Sequence, residues 1–156
     1  MANQSSAEEI DYGILDTLVG YKLRRAQVTV FNHFTDRCLK FGITPGLFGV
    51  LSIVERNPGL TQTAIANALG NDRSAMVSVV DRLEAMNVVE RKPSVKDRRS
   101  HALFLTPHGE TFYKELVAQV LAHEKDFTDT LNESEKVLLL DILDRFAKHS
   151  PSTKVE

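Results

Sequence analysis

Residues 61–105 read TQTAIANALGNDRSAMVSVVDRLEAMNVVERKPSVKDRRSHALFL, and the caps and breakers in this stretch decide the fold. Thr61 is placed to cap a short helix over Gln62 to Leu69, which Gly70 ends. Asn71-Asp72 then offers a cap for a second helix from Arg73 to about Met86. On that helix Met76, Val79, Val80 and Leu83 fall at core spacing, so those side chains are assigned to packing. Val88 to Lys92 and His101 to Leu105 read as short strands around the polar loop Pro93 to Ser100, which makes a hairpin. The hairpin is basic: Arg91, Lys92, Lys96, Arg98 and Arg99 crowd it, opposed there only by Asp97. Helix, capped helix and basic hairpin in this order are the parts of a winged helix-turn-helix, whose second helix enters the major groove.

Working outward, Thr44-Pro45 is a helix start, because Thr caps and Pro has no N–H to leave unsatisfied in the first turn. That helix closes at Asn57-Pro58-Gly59. Before it, one long helix is expected from about Asp11 to Lys40, ended by Gly42. It carries two apolar stripes, Leu15, Val19, Leu23, Ala26, Val30, Phe34 and Ile14, Leu18, Tyr21, Val28, Phe31. A helix apolar on two faces needs covering twice, and a second subunit is the economical cover. Downstream, Thr106-Pro107 repeats the start signal, and Phe112, Leu116, Val120, His123 and Phe127 mark one face of a long helix. Asn132 with Glu135 has the spacing of a capping box, opening a last helix with Leu139, Ile142, Leu143 and Phe146 on its apolar face. The expected fold is mainly α with a small β wing, as a single domain over residues 1–156. Helices at about 11–40 and 107–148 form a dimerisation lobe, and about 44–105 form the winged helix-turn-helix.

Composition narrows the function. The 42% hydrophobic and 26% charged content fits one folded domain, and no apolar run approaches the roughly 20 residues of a membrane helix. The polar start MANQSSAEE is unlike a signal peptide, so a soluble, cytoplasmic chain without a membrane partner is expected. A net charge of -2 rules out coating nucleic acid by charge alone, so any DNA contact is local. Cys38 is the only cysteine, which excludes an internal disulfide and a thiolate cage. The histidines, His33, His101, His108, His123 and His149, sit on different elements without zinc-ligand spacing, and no nucleophile–base pair or phosphate-cradling glycine loop stands out. Neither an enzyme nor a bound metal or cofactor is expected.

The candidate DNA contacts follow from position. Asn71, Arg73, Ser74 and Ser78 lie at and after the start of the second helix. Arg73 suits a bidentate contact with guanine or a phosphate, and the serines suit either. Asp72 is assigned to capping rather than to DNA. Lys96, Arg98 and Arg99 at the hairpin tip suit the minor groove or flanking phosphates, while the loop read by itself is equally a solvated turn. A winged helix used only for protein contact, without ligand response, is the alternative reading.

The run Asp81-Arg82-Leu83-Glu84-Ala85-Met86-Asn87-Val88-Val89-Glu90-Arg91, followed by Asp97-Arg98-Arg99 and Leu103-Phe104-Leu105-Thr106, resembles the signature of the MarR family, and the likeness extends over nearly the whole chain. The resemblance implies a triangular homodimer with interleaved terminal helices, and recognition helices in successive major grooves of a palindromic site on double-stranded DNA. It puts Arg73, Ser74 and Ser78 in the groove and Arg98 or Arg99 at the wing tip. Two positions depart from the family: Asn87 stands where it usually has Gly, and Asn is the next best residue for a left-handed turn. Pro93-Ser94-Val95-Lys96 replaces the commoner Asp-Pro start of the wing.

Members of this family commonly answer to phenolic or aromatic carboxylates, some to their coenzyme A thioesters. The resemblance therefore implies a repressor released by a small acidic aromatic effector or an acyl-CoA, bound between the dimerisation helices and the DNA-binding lobe. By position the lining comes from Tyr21, Arg24, Arg25, His33, Phe34, Arg37 and Phe48, with Arg24 or Arg25 taking the carboxylate or a coenzyme phosphate. The arginines are equally placed to pair with the acidic C-terminal helices, and Phe34 and Phe48 to be core. Peroxide-sensing relatives carry their cysteine near the start of the first helix, whereas Cys38 falls near its end, so redox sensing is not expected.

Overall fold

The computed structural model describes residues 10–94 and 100–149. Six α-helices and one two-stranded hairpin follow in the order α1 Val19–Arg37, α2 Pro45–Arg56, α3 Gln62–Leu69, α4 Arg73–Ala85, β1 Val89–Pro93, β2 His101–Leu105, α5 Pro107–Thr128 and α6 Glu133–Lys148. The capping chemistry is the expected one. Thr44, Thr61 and Thr106 each accept a backbone N–H three residues on, from Leu47, Ala64 and Gly109. Asp72 caps α4 through Ser74 N–H, and Asn132 with Glu135 forms a reciprocal capping box. Each cap satisfies an N–H that the first helical turn otherwise leaves bare.

Three boundaries differ from the sequence reading. The expected helix over 11–40 is shorter: Gly13–Thr17 is a 3-10 turn, Leu18 is extended at φ -88° and ψ 118°, and α1 starts only at Val19. The cause is local, since Asp11 accepts the Gly13 N–H at 2.8 Å and Gly13 takes φ +52°, a turn that competes with helix. At the other end, a 3-10 turn over Leu39–Phe41 leads to Gly42 in the left-handed region. Finally, β1 starts at Val89 rather than Val88, because Val88 N–H donates to Leu83 O and so closes α4.

The buried core belongs to the winged-helix lobe. Leu47, Val50, Leu51 and Val54 of α2 meet Ile65 and Ala66 of α3, Met76, Val80 and Leu83 of α4, and Val89 and Leu103 of the hairpin; Leu116 of α5 and Phe34 of α1 close it. The hairpin is antiparallel, Val89 opposite Leu105 and Arg91 opposite Leu103. Strand β2 also holds the turn after α2, with Gly59 N–H donating to Leu103 O and Leu103 N–H to Leu60 O. One joint ties this lobe to α5. Asn87 sits at φ +55°, its carbonyl accepts the Thr106 hydroxyl at 2.6 Å, and that hydroxyl accepts Gly109 N–H at 2.9 Å. Gly109 is packed so tightly on Val88 that a Cβ would lie 1.9 Å from its carbonyl oxygen.

Outside the core the protomer leaves apolar surface uncovered. No residue of α6 is buried, and Val137 and Leu140 are 67% and 65% exposed, as are Leu121 of α5 (64%) and Val19 of α1 (60%). Among the described residues no helix is long and apolar enough to cross a membrane.

Candidate nucleic-acid interface and the core beside it

Helix α4 has two faces with different fates. Met76, Val80 and Leu83 are fully buried, whereas Asn71, Arg73, Ser74 and Ser78 are all exposed along its amino-terminal half. Periodicity puts these sets on opposite sides, so burying the first presents the second to solvent. The cap is charged: Asp72 accepts both the backbone N–H and the hydroxyl of Ser74 at 2.7 Å. The Ser74 hydroxyl and amide hold the Asp72 carboxyl below its usual range. Ser74 therefore spends its proton on the cap, and what it offers outward is an acceptor.

The basic stretch is less free than it reads in sequence. Arg91 lies half-buried between the hairpin and α4, with its guanidinium on Asp81 at 2.7 Å and on Glu84, reaching Gln62 of α3 at 3.4 Å. Its backbone N–H also donates to Glu84, at 3.1 Å. Lys92 pairs with Glu90 at 2.7 Å and covers the Phe104 ring at 5.0 Å. Among the described residues α4 and β1 thus supply three acids, Asp81, Glu84 and Glu90, to Arg91 and Lys92, where the sequence reading counted Asp97 alone. Arg91 ties α3, α4 and the wing into one body, a role that sequence reading missed because its partners lie 7, 10 and 29 residues away. Lys96, Arg98 and Arg99, with Asp97, lie outside the described residues.

The residues expected to line an effector pocket separate into groups. Phe34, Phe48 and His33 come together: Phe34 is 5% exposed, its ring 6.1 Å from Phe48 and edge-on to His123 at 5.3 Å, and Phe48 stacks on Tyr113 at 6.1 Å. Arg37 is paired with Asp126 of α5 at 2.6 Å, one of the two options open from sequence. Tyr21 sits near Tyr12 with the Arg25 guanidinium 5.2 Å above the Tyr12 ring, and Arg24 reaches Gln27 at 3.5 Å. None of these residues lines the cleft of about 510 Å³ between α2, β2 and α5, which is walled by Val54, Pro58, Phe104, Tyr113 and Val117 and rimmed by Glu55, Glu110 and Lys114. Its volume is within the roughly 300–1,000 Å³ of small-molecule sites.

Two histidines scattered in sequence meet here. His33 of α1 and His123 of α5 face each other with their Nδ1 atoms 2.6 Å apart, and His123 is buried at 3% exposure. Burial first, then the neighbouring His33, push the His123 pKa below its usual value. Cys38 nearby in sequence is fully buried, and burial raises its thiol pKa, which keeps it an unreactive part of the core. Among the described residues no three His, Cys, Asp or Glu side chains gather into a metal site.

Comparison with known proteins agrees with this architecture. The family model described as MarR family matches residues 41–100. A putative transcriptional regulatory protein for the hcr operon of Thauera aromatica is 34% identical over 150 residues, 96% of this chain and 90% of that protein. Among solved structures, the transcriptional repressor CouR bound to a 23-mer DNA duplex superposes with a TM-score of 0.85 at 37% identity, covering 90% of this chain and 99% of that one. CouR bound to p-coumaroyl-CoA gives a TM-score of 0.83 at 35% identity, over 91% of this chain and 100% of the other. With its capped α4, its hairpin and a likeness that runs the length of a curated regulator, the chain belongs to the MarR family, which comprises winged-helix transcriptional regulators rather than enzymes.

Proposed function

We propose that this chain is a homodimeric repressor that holds palindromic operator DNA and lets go when a small acidic aromatic molecule, or its coenzyme A thioester, binds. The observation that carries the reading is the exposed amino-terminal face of α4, with Asn71, Arg73, Ser74 and Ser78 open to solvent while its other face is locked in the core. The likeness to CouR bound to DNA supports that face as the one that meets the major groove. Lys96, Arg98 and Arg99 would extend the contact from the wing. Dimerisation is supported by the uncovered apolar side chains of α1, α5 and α6, Val19, Leu121, Val137 and Leu140 among them, which a second copy would cover.

The effector class is supported by the likeness to CouR bound to p-coumaroyl-CoA. Arg24 and Arg25, both exposed, are the cations proposed to take its carboxylate or a coenzyme phosphate, with Tyr21, His33, Phe34, Arg37 and Phe48 as the surrounding wall. The effector acts by population shift, favouring a spacing of the two recognition helices other than the roughly 34 Å between successive major grooves.

The test is fluorescence anisotropy on the duplex upstream of the chain's own gene against a scrambled duplex, over a salt series. Selective, salt-sensitive binding is expected, with Arg73→Ala weakening it by about 5- to 150-fold, the equivalent of 1–3 kcal/mol for one lost base contact. Adding p-coumaroyl-CoA is expected to lower the bound fraction. Equal, weak binding to both duplexes would instead favour a winged helix used for protein contact.

A further inference from the structure

We propose that His33 and His123 form an acid-operated latch between α1 and α5, closed while the pair holds no more than one extra proton and opened by the second. The argument starts from proton counting. A contact between two Nδ1 atoms at 2.6 Å needs one hydrogen between them. With both rings neutral, one ring carries its proton on Nδ1 and donates, while the other carries it on Nε2 and accepts. A first added proton goes to the Nε2 of the donor ring, which still donates through Nδ1, so the bond survives and is charge-assisted. A second proton leaves an Nδ1–H on both rings, two donors face each other, and two positive charges sit at contact distance. The latch is therefore a two-step titration that belongs to the pair and not to either ring.

The surroundings set the pH of that second step. His123 is packed between Phe34 and Phe127, with ring centroids at 5.3 and 6.1 Å, and desolvation disfavours its charged form. His33 and Arg37 of α1 oppose its charging, and Glu124 and Asp126 of α5 favour it. Arg37 and Asp126 are paired to each other at 2.6 Å, so their effects on His123 largely offset and burial decides the direction. The sign follows. The folded-state pKa lies below the usual 6.5, so on acidification the unfolded chain takes up its proton first. Stability is complete above that value and is lost as pH falls through the folded one.

The position of the pair gives the titration something to act on. It closes α1 against α5, and α5 runs without a break to the Thr106–Gly109 joint at the base of the wing. The same cluster continues through Phe34 and Phe48 to Tyr113, which lines the cleft and donates to Ser52 at 3.1 Å. Opening the latch removes the buried tie between α1 and α5 towards the end opposite the wing and leaves the exposed Arg37–Asp126 pair to hold them there. Its effect on DNA rests on the proposed operator binding; the titration itself does not.

The experiment is histidine-selective 15N NMR of the full-length protein from pH 8 to pH 5, beside anisotropy on the same upstream duplex. The latch predicts two coupled ring signals, with the His123 ring remaining neutral below its usual pKa. In His33→Gln the His123 signal should then titrate at higher pH, its charged neighbour gone. It also predicts that, as pH falls through the second step, wild-type affinity drops at least tenfold more than that of His33→Gln or His33→Phe. A His123 titration unmoved by either substitution overturns the proposal. So do equal losses of affinity in wild type and both variants. If no duplex is bound selectively at pH 7.5, operator binding is what fails, and the ring titrations still decide the latch.

Discussion

Replacing Gly109 by alanine probes the joint between the DNA-binding lobe and α5. The added Cβ would stand 1.9 Å from the Val88 carbonyl oxygen, 2.8 Å from its carbon and 3.0 Å from its Cα, whereas relaxed carbon–oxygen contacts begin at about 3.3 Å. The obstacle is backbone, which no rotamer change removes. Val88 O is also held by Thr106 N–H at 3.2 Å, and Gly109 N–H by the Thr106 hydroxyl at 2.9 Å, so opening the gap strains both bonds. Two terms compete. Alanine gains at most about 1 kcal/mol over glycine in a helix interior, and less in a first turn. Overpacking costs about 1–3 kcal/mol, and each weakened hydrogen bond about 1 more. The net is a loss of about 2–4 kcal/mol, or roughly 5–15 °C in melting midpoint for a chain of this size. The assay is a circular dichroism melt at one fixed protomer concentration, because the midpoint of a dimer moves with concentration. A midpoint within about 2 °C of wild type would mean that α5 slides off Val88 at no cost, and the tight joint would be refuted.

Two further outcomes follow from features already described. Arg91→Ala leaves Asp81 and Glu84 facing each other without their cation and unties the wing from α4; a loss of about 1–2 kcal/mol is expected by urea unfolding, the side chain being only partly buried, and an unchanged midpoint would remove Arg91 as the clasp. Leu140→Asp puts a charge on the uncovered face of α6, where the side chain is 65% exposed in the protomer, so sedimentation should show a shift toward monomer, while an intact dimer would place the interface elsewhere.

The winged-helix order was legible because its signals are local. Thr44-Pro45, Thr61, Asp72, Thr106-Pro107 and Asn132 with Glu135 each act within three or four residues, and each cap stands where it was expected. The Asn87 turn was legible for the same reason. What failed locally was the start of α1, since an apolar period of three to four continues through Gly13–Thr17 even though the Asp11–Gly13 turn interrupts the helix there. The contacts that depend on the fold were illegible. His33 and His123 are 90 residues apart, Arg37 and Asp126 89, and no pattern in either helix announces the meeting. Arg91 was legible only as one cation of a basic run, and only the packed structure brings two acids of α4 to it.

The joint of Asn87, Thr106 and Gly109 makes α5 a crank rather than a hinge. Helix α4 runs out into the Asn87 turn, the hairpin begins just after it, and the first turn of α5 is bolted to that turn, so these parts turn together. Helix α5 has 22 residues, about 33 Å of rigid arm at 1.5 Å per residue. A tilt of about 5° applied at its far end swings the reading head by roughly 3 Å, comparable to the rise of one base pair. A signal therefore need not reach the DNA-binding face through any chain of side-chain rearrangements. It has only to lean on the other end of one helix.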